Sequence, residues 1–252
     1  MTETKQLAII TGGAGEIGRH IALEFAKMNF HVLILDLNDI FIQETQALFD
    51  KNNIHNLDII KVDITDKESL TQKISPYINE KGYSLSVLIL AAAINKIEKF
   101  SNEMTDNFQK ILQVNTIGSV IPTAVCWEAL KSNRGSIIAL SSVAGYAPLY
   151  GRTSYCASKY ALHGFFDALR TESEQVHVMI TCPTFVDTRF SKKDTSKISE
   201  MLTPQEVAKK LIEGWKKKRN LLFIGKTSKM AYWAYKLFPK FYIKKMLEQN
   251  KF

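Results

Sequence analysis

Short apolar runs alternate with segments of helical periodicity along the whole of this 252-residue chain. Leu7–Thr11, His31–Asp36, Leu57–Asp63, Leu85–Ala93, Gly135–Ser142, Val176–Pro183 and Asn220–Gly225 read as strands. Between them, helical patterns cover Ile17–Met28, Asp39–Lys51, a segment capped by Thr65 or Asp66 and running to Glu80, Glu103–Lys131, Thr153–Ser173, and a stretch after Thr203. A strand with one wet face alternates apolar and polar residues, whereas one covered on both faces is apolar throughout. These runs are of the second kind. Parallel strands joined by helices, with right-handed crossovers, give a sheet wound on both faces. The expected fold is therefore α/β: a single-domain Rossmann fold over residues 1–252, with a doubly wound, parallel, seven-stranded sheet. A helical C-terminal appendage is expected from about residue 226. No linker, repeat or low-complexity stretch divides the chain.

The first strand runs into "TGGAGEIG", Thr11–Gly18. Gly13, Gly15 and Gly18 fit G-x-G-x-x-G, while Gly12 and Gly18 fit T-G-x-x-x-G-x-G with Glu16 at the middle glycine. In either register a glycine loop between a strand and a helix aims helix N-terminal N–H groups at a phosphate. Asp36 ends the next strand, 18 residues past Gly18. A carboxylate there can accept from ribose hydroxyls and would repel a 2′-phosphate, and the neighbouring Leu37 offers no positive charge. The plainer alternative for Asp36 is a turn or cap at the strand end. NAD is favoured over NADP.

"YCASK" places Tyr155 and Lys159 four apart in a helical segment, on one face. A phenol with a pKa of about 10 is a poor acid–base group at neutral pH, and an adjacent ammonium lowers it. Such a pair suits proton transfer in alcohol–ketone interconversion. Taken alone, the spacing is common on helix surfaces. Ser142, 13 residues earlier, closes the fifth strand, at the edge where parallel sheets gather their sites.

With "TGGAGEIG", Asp36, Asp63 in "KVDITD", Asn115 in "LQVN", Ser142 in "SSVAG", "YCASK" and "CPTFVDT", the chain resembles the short-chain dehydrogenase/reductase family over roughly residues 5–190. The resemblance selects the T-G-x-x-x-G-x-G register. It implies an oxidoreductase in which Tyr155 is the general acid/base and Lys159 lowers its pKa and holds the nicotinamide ribose. Ser142 would hydrogen-bond the substrate oxygen, and Asn115 would support a water-mediated proton relay through a kink in the long helix. Gly12, Gly15, Ile17, Gly18, Asp36, Ile64 and Ala92 would line the cofactor, with Asp63 at the adenine amino group. Val186 and Thr188 would hold the nicotinamide carboxamide. The plainer roles are a strand-end hydroxyl for Ser142, a helix-interior polar group for Asn115 and a capping turn for Asp63.

Three positions depart from the family pattern. Glu16 replaces a glycine, and its carboxylate is expected to face solvent over the first helical turn. "LAAA" (Leu90–Ala93) lacks the polar side chains that brace the central strands. Thr184 stands where a glycine is usual, and is expected to restrict the loop over the nicotinamide.

From Glu206 onward, Lys and Arg outnumber Asp and Glu by ten, and the rest of the chain is net negative by two. Basicity confined to the tail argues against a nucleic-acid-binding body. The tail, Lys229–Phe252, interleaves aromatics with lysines around Pro239. It either packs on the body or a partner subunit, which an apolar helical stripe favours, or lies on a membrane surface. Only 14 residues, Arg189–Leu202, separate Thr188 from Thr203, a short substrate cover. Together these lean towards a hydrophobic or lipid-like alcohol or ketone. A homodimer or homotetramer is expected from the resemblance.

Three scattered cysteines suggest no disulfide framework, and the histidines lack metal-ligand spacing. No metal is expected. No apolar run spans a bilayer and no secretory signal is evident, so a cytoplasmic protein, with membrane association through the tail as an option, is expected. The competing functions are a cofactor-binding regulator without turnover and a membrane-surface adaptor.

Overall fold

The structure, a computed structural model, describes residues 5–101, 104–190 and 201–249. Its strands are β1 (Gln6–Thr11), β2 (His31–Asp36), β3 (Leu57–Lys61), β4 (Ser84–Leu90), β5 (Ser136–Leu140), β6 (His177–Pro183) and β7 (Leu221–Ile224). They form one sheet in the order β3-β2-β1-β4-β5-β6-β7, parallel throughout. The order reverses between β1 and β4, which opens a crevice at the carboxyl ends of these strands.

The helices are α1 (Glu16–Lys27), α2 (Asp39–Lys51), α3 (Lys67–Asn79), α4 (Thr105–Leu112), α5 (Gly118–Ser132), α6 (Thr153–Leu169), α7 (Pro204–Lys216), α8 (Lys226–Leu237) and α9 (Pro239–Gln249). Side chains alternate across each strand, so one sheet feeds two cores. Ala8, Ile10, Val32, Ile34, Val87 and Ile89 meet Phe25 of α1 and Leu211 of α7 on one face. Leu7, Ile9, Leu33, Leu35 and Leu88 meet Leu70, Cys126, Leu130, Leu162 and Phe166 on the other. This two-sided burial is why the strands are apolar at consecutive positions.

Local caps set the ends of several elements. Asn38 accepts from Phe41 N–H and Asp66 from Ser69 N–H at the starts of α2 and α3. Thr203 and Glu206 form a reciprocal capping box on α7, with Pro204 at the first turn. A π-helical segment, Gln113–Ile117, joins α4 to α5 and carries Asn115. The long helix expected over this region is thus interrupted at Asn115 by a π segment. Strand ends differ from expectation by a few residues. β5 stops at Leu140, and Ser142 caps a 3-10 turn, Val143–Gly145, instead of closing the strand. α6 stops at Leu169, short of Ser173.

The appendage packs on the body through its inner face. The Tyr146 hydroxyl bonds both the carbonyl and the hydroxyl of Ser228, and Ser228 Oγ donates to the Cys182 carbonyl at 2.6 Å. Tyr232 meets the rings of Tyr146 and Phe223 at 5.2 and 5.1 Å, and Tyr242 is buried in the core. The outer face leaves Trp233, Leu237, Phe238, Phe241 and Leu247 exposed. Among the described residues, no helix is long and apolar enough to cross a membrane.

Candidate active site

A cavity of about 740 Å³ lies over the crevice between β1 and β4. Gly12, Gly15, Ile17, Gly18, Asp36, Asp63, Ile64, Ala92, Val186 and Thr188 all line it. Ser142, Tyr155 and Lys159 line it too. Asn115 is not on its wall but lies behind it, fully buried.

The glycine loop owes its shape to close packing. Gly12 has φ +61, and a Cβ there would lie 2.5 Å from Ala92 Cα. A Cβ on Gly18 would lie 2.3 Å from the Gly12 carbonyl oxygen, so α1 meets its own loop only without a side chain. Gly15 differs: a Cβ there would meet only the Gly12 oxygen, at 3.2 Å, and the side towards the cavity is open. Gly15 is the N-cap of α1 and makes no side-chain cap bond. The first helical N–H groups have no intrahelical acceptor, and Glu16, Ile17 and Gly18 border the cavity. This cradle fits the pyrophosphate of a dinucleotide.

Asp36 makes the turn of the plainer alternative and reaches the glycine loop as well. Oδ2 accepts from Ala14 N–H at 3.1 Å, and Oδ1 accepts from Leu37 and Asn38 N–H at 2.8 and 3.1 Å. The carboxylate thus pins the glycine loop and its own turn. It has about four lone-pair directions, so acceptor capacity remains towards the cavity. Asp63 lies two residues past β3 and accepts from Thr65 N–H and Oγ1, both at 2.8 Å, which is the capping turn of the plainer alternative. It also borders the cavity.

Asn115 replaces backbone pairing with its amide. Oδ1 accepts from Ile94 N–H at 2.8 Å, and Nδ2 donates to the Ile94 carbonyl at 3.0 Å and to Ser158 Oγ at 3.0 Å. The loop after β4 is held to α6 through this one side chain. The "LAAA" stretch lacks bracing side chains, and its backbone supplies the contact: Ala91 N–H donates to the Thr11 carbonyl at 3.1 Å.

Tyr155 and Lys159 project from α6 as expected, but their electrostatics do not follow the expected sense. Burial pushes the Tyr155 phenol up to about 12, against weaker opposition from Arg152 and the Ser142 hydroxyl. Burial also pushes the Lys159 ammonium down to about 8. The reason is geometric. Lys159 Nζ donates to the Leu140 carbonyl at 2.7 Å and stands 5.6 Å from the Tyr155 ring centroid. Desolvation outweighs the lowering effects of Arg152 and the Ser142 hydroxyl on the phenol, while Lys159 commits its hydrogen bond to a backbone carbonyl.

Glu16 does not face free solvent. Its Oε2 accepts from Arg189 N–H at 2.7 Å, and Oε1 stands 3.5 Å from Arg189 Nε. Arg189 also pairs with Glu44, and Arg19 pairs with the same carboxylate at 2.8 Å. Both arginines hold the Glu44 carboxyl below its usual range, Arg189 more strongly. No spacing in the sequence signals this network. Phe190 was likewise not anticipated, yet its ring stands 5.9 Å from that of Tyr155.

Thr184 does not restrict the loop by itself. Its N–H donates to the Ile224 carbonyl at 2.9 Å, extending the β6–β7 pairing, and its methyl fills the space over Gly225. Val186 bridges Leu202, and Asp187 N–H donates to the Leu202 carbonyl at 2.8 Å. The short substrate cover expected between Thr188 and Thr203 lies largely outside the described residues.

Residues 6–199 match the short chain dehydrogenase family. The 3-ketodihydrosphingosine reductase of Bos taurus is 28% identical over 81% of this chain and 67% of its own length. The estradiol 17-beta-dehydrogenase 11 of Rattus norvegicus is 27% identical over 93% of this chain and 80% of its own. A short chain dehydrogenase from Burkholderia cenocepacia J2315, crystallised in complex with NADP, superposes with a TM-score of 0.83 at 18% identity. That superposition covers 98% of this chain and 99% of the other, and shows the shared fold.

Proposed function

This chain belongs to the short chain dehydrogenase family, and on that premise we propose that it interconverts a secondary alcohol and a ketone of a hydrophobic, lipid-like substrate, using NAD(H). One observation carries the proposal. Tyr155, Ser142 and Lys159 converge on the same cavity as the glycine loop and the Asp36 carboxylate.

The residues divide the work. Tyr155 gives the proton to the substrate oxygen in reduction and takes it back in oxidation. Ser142 hydrogen-bonds the same oxygen, and the two hydroxyls together support charge as it develops there. Lys159 holds the nicotinamide ribose. Asn115 fixes the Ile94 carbonyl beside the path by which the Tyr155 proton is replenished. Gly12, Gly15, Ile17 and Gly18 receive the pyrophosphate, while Asp63, Ile64 and Ala92 flank the adenosine and its link. Val186 and Thr188 orient the carboxamide. The bound nicotinamide supplies or accepts the hydride.

NAD rather than NADP is supported by Asp36, whose carboxylate borders the cavity where it would accept from ribose hydroxyls, with the exposed Leu37 beside it in place of a cation. A lipid-like substrate is supported by Phe190, Leu149, Val143 and Phe185 on the cavity wall, and by the substrates that the relatives' names carry. Ile117 and Tyr160, exposed on the long helices, support a homodimer or homotetramer. The exposed aromatics of α8 and α9, set among Lys229, Lys236, Lys240, Lys244 and Lys245, support contact with a membrane surface.

The test is oxidation of NADH and NADPH by purified protein across ketones graded in chain length and ring number. NADH with long-chain or polycyclic ketones is the expected pair. Preference for NADPH would overturn the cofactor assignment, and preference for small polar ketones the substrate class.

A further inference from the structure

We propose that Glu16 and Arg189 form a clasp over the dinucleotide that sets how fast the cofactor is exchanged. The inference rests on the cavity being the dinucleotide site. It begins from the one position in the glycine loop where this chain departs from its family.

Glu16 opens α1 beside Gly15, on the pyrophosphate wall of the cavity. Arg189 follows Thr188 on the nicotinamide wall, and it too borders the cavity. The bond between them, Arg189 N–H to Glu16 Oε2 at 2.7 Å, therefore joins the two walls. The segment bearing Arg189 is also fixed on its far side, where Asp187 N–H donates to the Leu202 carbonyl at 2.8 Å. Held at both ends, residues 187–189 make a strap across the mouth. The Arg189 guanidinium extends the hold. It reaches Glu44 of α2 and lies 4.6 Å from the centre of the Phe41 ring, with Arg19 at 5.7 Å from the same ring. A glycine at position 16 would lose the bond between the two walls and leave Arg189 only its hold on Glu44 and Phe41.

The clasp also answers a charge problem. A carboxylate beside a pyrophosphate repels it. Arg189 neutralises Glu16, so the cradle keeps its attraction for phosphate while the strap stays shut. The two residues then have different duties. Glu16 holds the strap, and Arg189 both holds the strap and cancels Glu16.

That asymmetry separates a clasp from general structural support. NADH binding and release are followed by fluorescence in stopped flow. Glu16→Gly cuts the bond between the walls, leaving the strap only its hold on Glu44 and Phe41, and removes the repulsion as well, so NADH release accelerates roughly fivefold while affinity stays within about twofold. Arg189→Ala keeps the backbone N–H bond to Glu16 but removes the guanidinium that neutralises it, so affinity falls roughly tenfold. Adding Glu16→Gly to Arg189→Ala restores most of that affinity. Unchanged release in Glu16→Gly, or no rescue in the double variant, overturns the clasp while leaving the cofactor site standing. Failure of the unaltered protein to bind NADH overturns both.

Discussion

The ammonium of Lys159 rests on the carbonyl of Leu140, 2.7 Å away, and is 2% exposed. Its partner is a peptide dipole at the end of β5 rather than a carboxylate. Folding therefore strips the ammonium of water and returns only one hydrogen bond, which lowers its pKa from the ordinary 10.5 to about 8. Between these values the unfolded chain binds more protons at this site than the folded one. Stability from this group must then rise as pH climbs from about 8 towards 10.5. Urea unfolding of the wild type and of Lys159→Met at pH 7 and pH 10 reads this out. The variant should gain on the wild type at pH 7 relative to pH 10. Parallel profiles would show that the ammonium is not buried as described.

Tyr155 points the other way. Its phenol, pushed up to about 12, is held in the proton-donating form at neutral pH. Ketone reduction should accordingly be flat in kcat/KM from pH 6 to 8, while alcohol oxidation climbs with pH. Tyr155→Phe should cost about a hundredfold or more in turnover with NADH binding retained. Turnover that survived the substitution would remove the tyrosine from the chemistry.

The loop glycines divide into two kinds. Gly12→Ala puts a Cβ 2.5 Å from the Ala92 backbone at φ +61 and should lower the melting temperature as well as abolish cofactor binding. Gly15→Ala meets only one oxygen, at 3.2 Å, so it should melt near the wild type yet bind NADH more weakly. Equal losses of stability in the two variants would contradict this division.

Asn115→Ala strands the Ile94 N–H and carbonyl together. The expected loss is about 2–3 kcal/mol of stability by urea unfolding, with reduced turnover. Asn115→Asp keeps the acceptor for Ile94 N–H and should recover part of the stability but little of the turnover.

For the tail, substitution on the outer face is a cleaner test than truncation, because Ser228, Tyr232 and Tyr242 belong to the packed body. Trp233→Glu with Phe238→Glu and Phe241→Glu should leave the fold intact. It should abolish flotation with vesicles containing anionic phosphatidylserine. Equal flotation of the two proteins would refute membrane contact through this face.

Much of this architecture is written locally. β2 and α2 fall at His31–Asp36 and Asp39–Lys51 as the sequence predicts, because a doubly buried run and an Asn38 cap leave few alternatives. Asn115 marks a real irregularity in its helix for a similar reason: a buried amide in an apolar helix must find partners. What escaped prediction depends on distant partners. Glu16 was expected to look outward because its first-turn position favours any carboxylate, but its orientation is decided 173 residues later by Arg189. The state of Tyr155 depends on depth of burial and on where Lys159 spends its hydrogen bond, and the four-residue spacing encodes neither. "IIALSS" is compatible with a strand to its end, so the sequence does not separate Ser142 from β5. Its hydroxyl accepts from Ala144 N–H at 3.2 Å and turns the chain instead.

Thr184 and Gly225 meet across the β6–β7 edge. A Cβ at position 225 would lie 2.4 Å from the Thr184 methyl, and φ there is +98. Glycine at 225 is therefore specified twice, by a backbone conformation that side chains rarely adopt and by the methyl that fills the space above it. Any chimaera that exchanges the segment carrying residue 225 has to keep this glycine, whatever residue stands at 184.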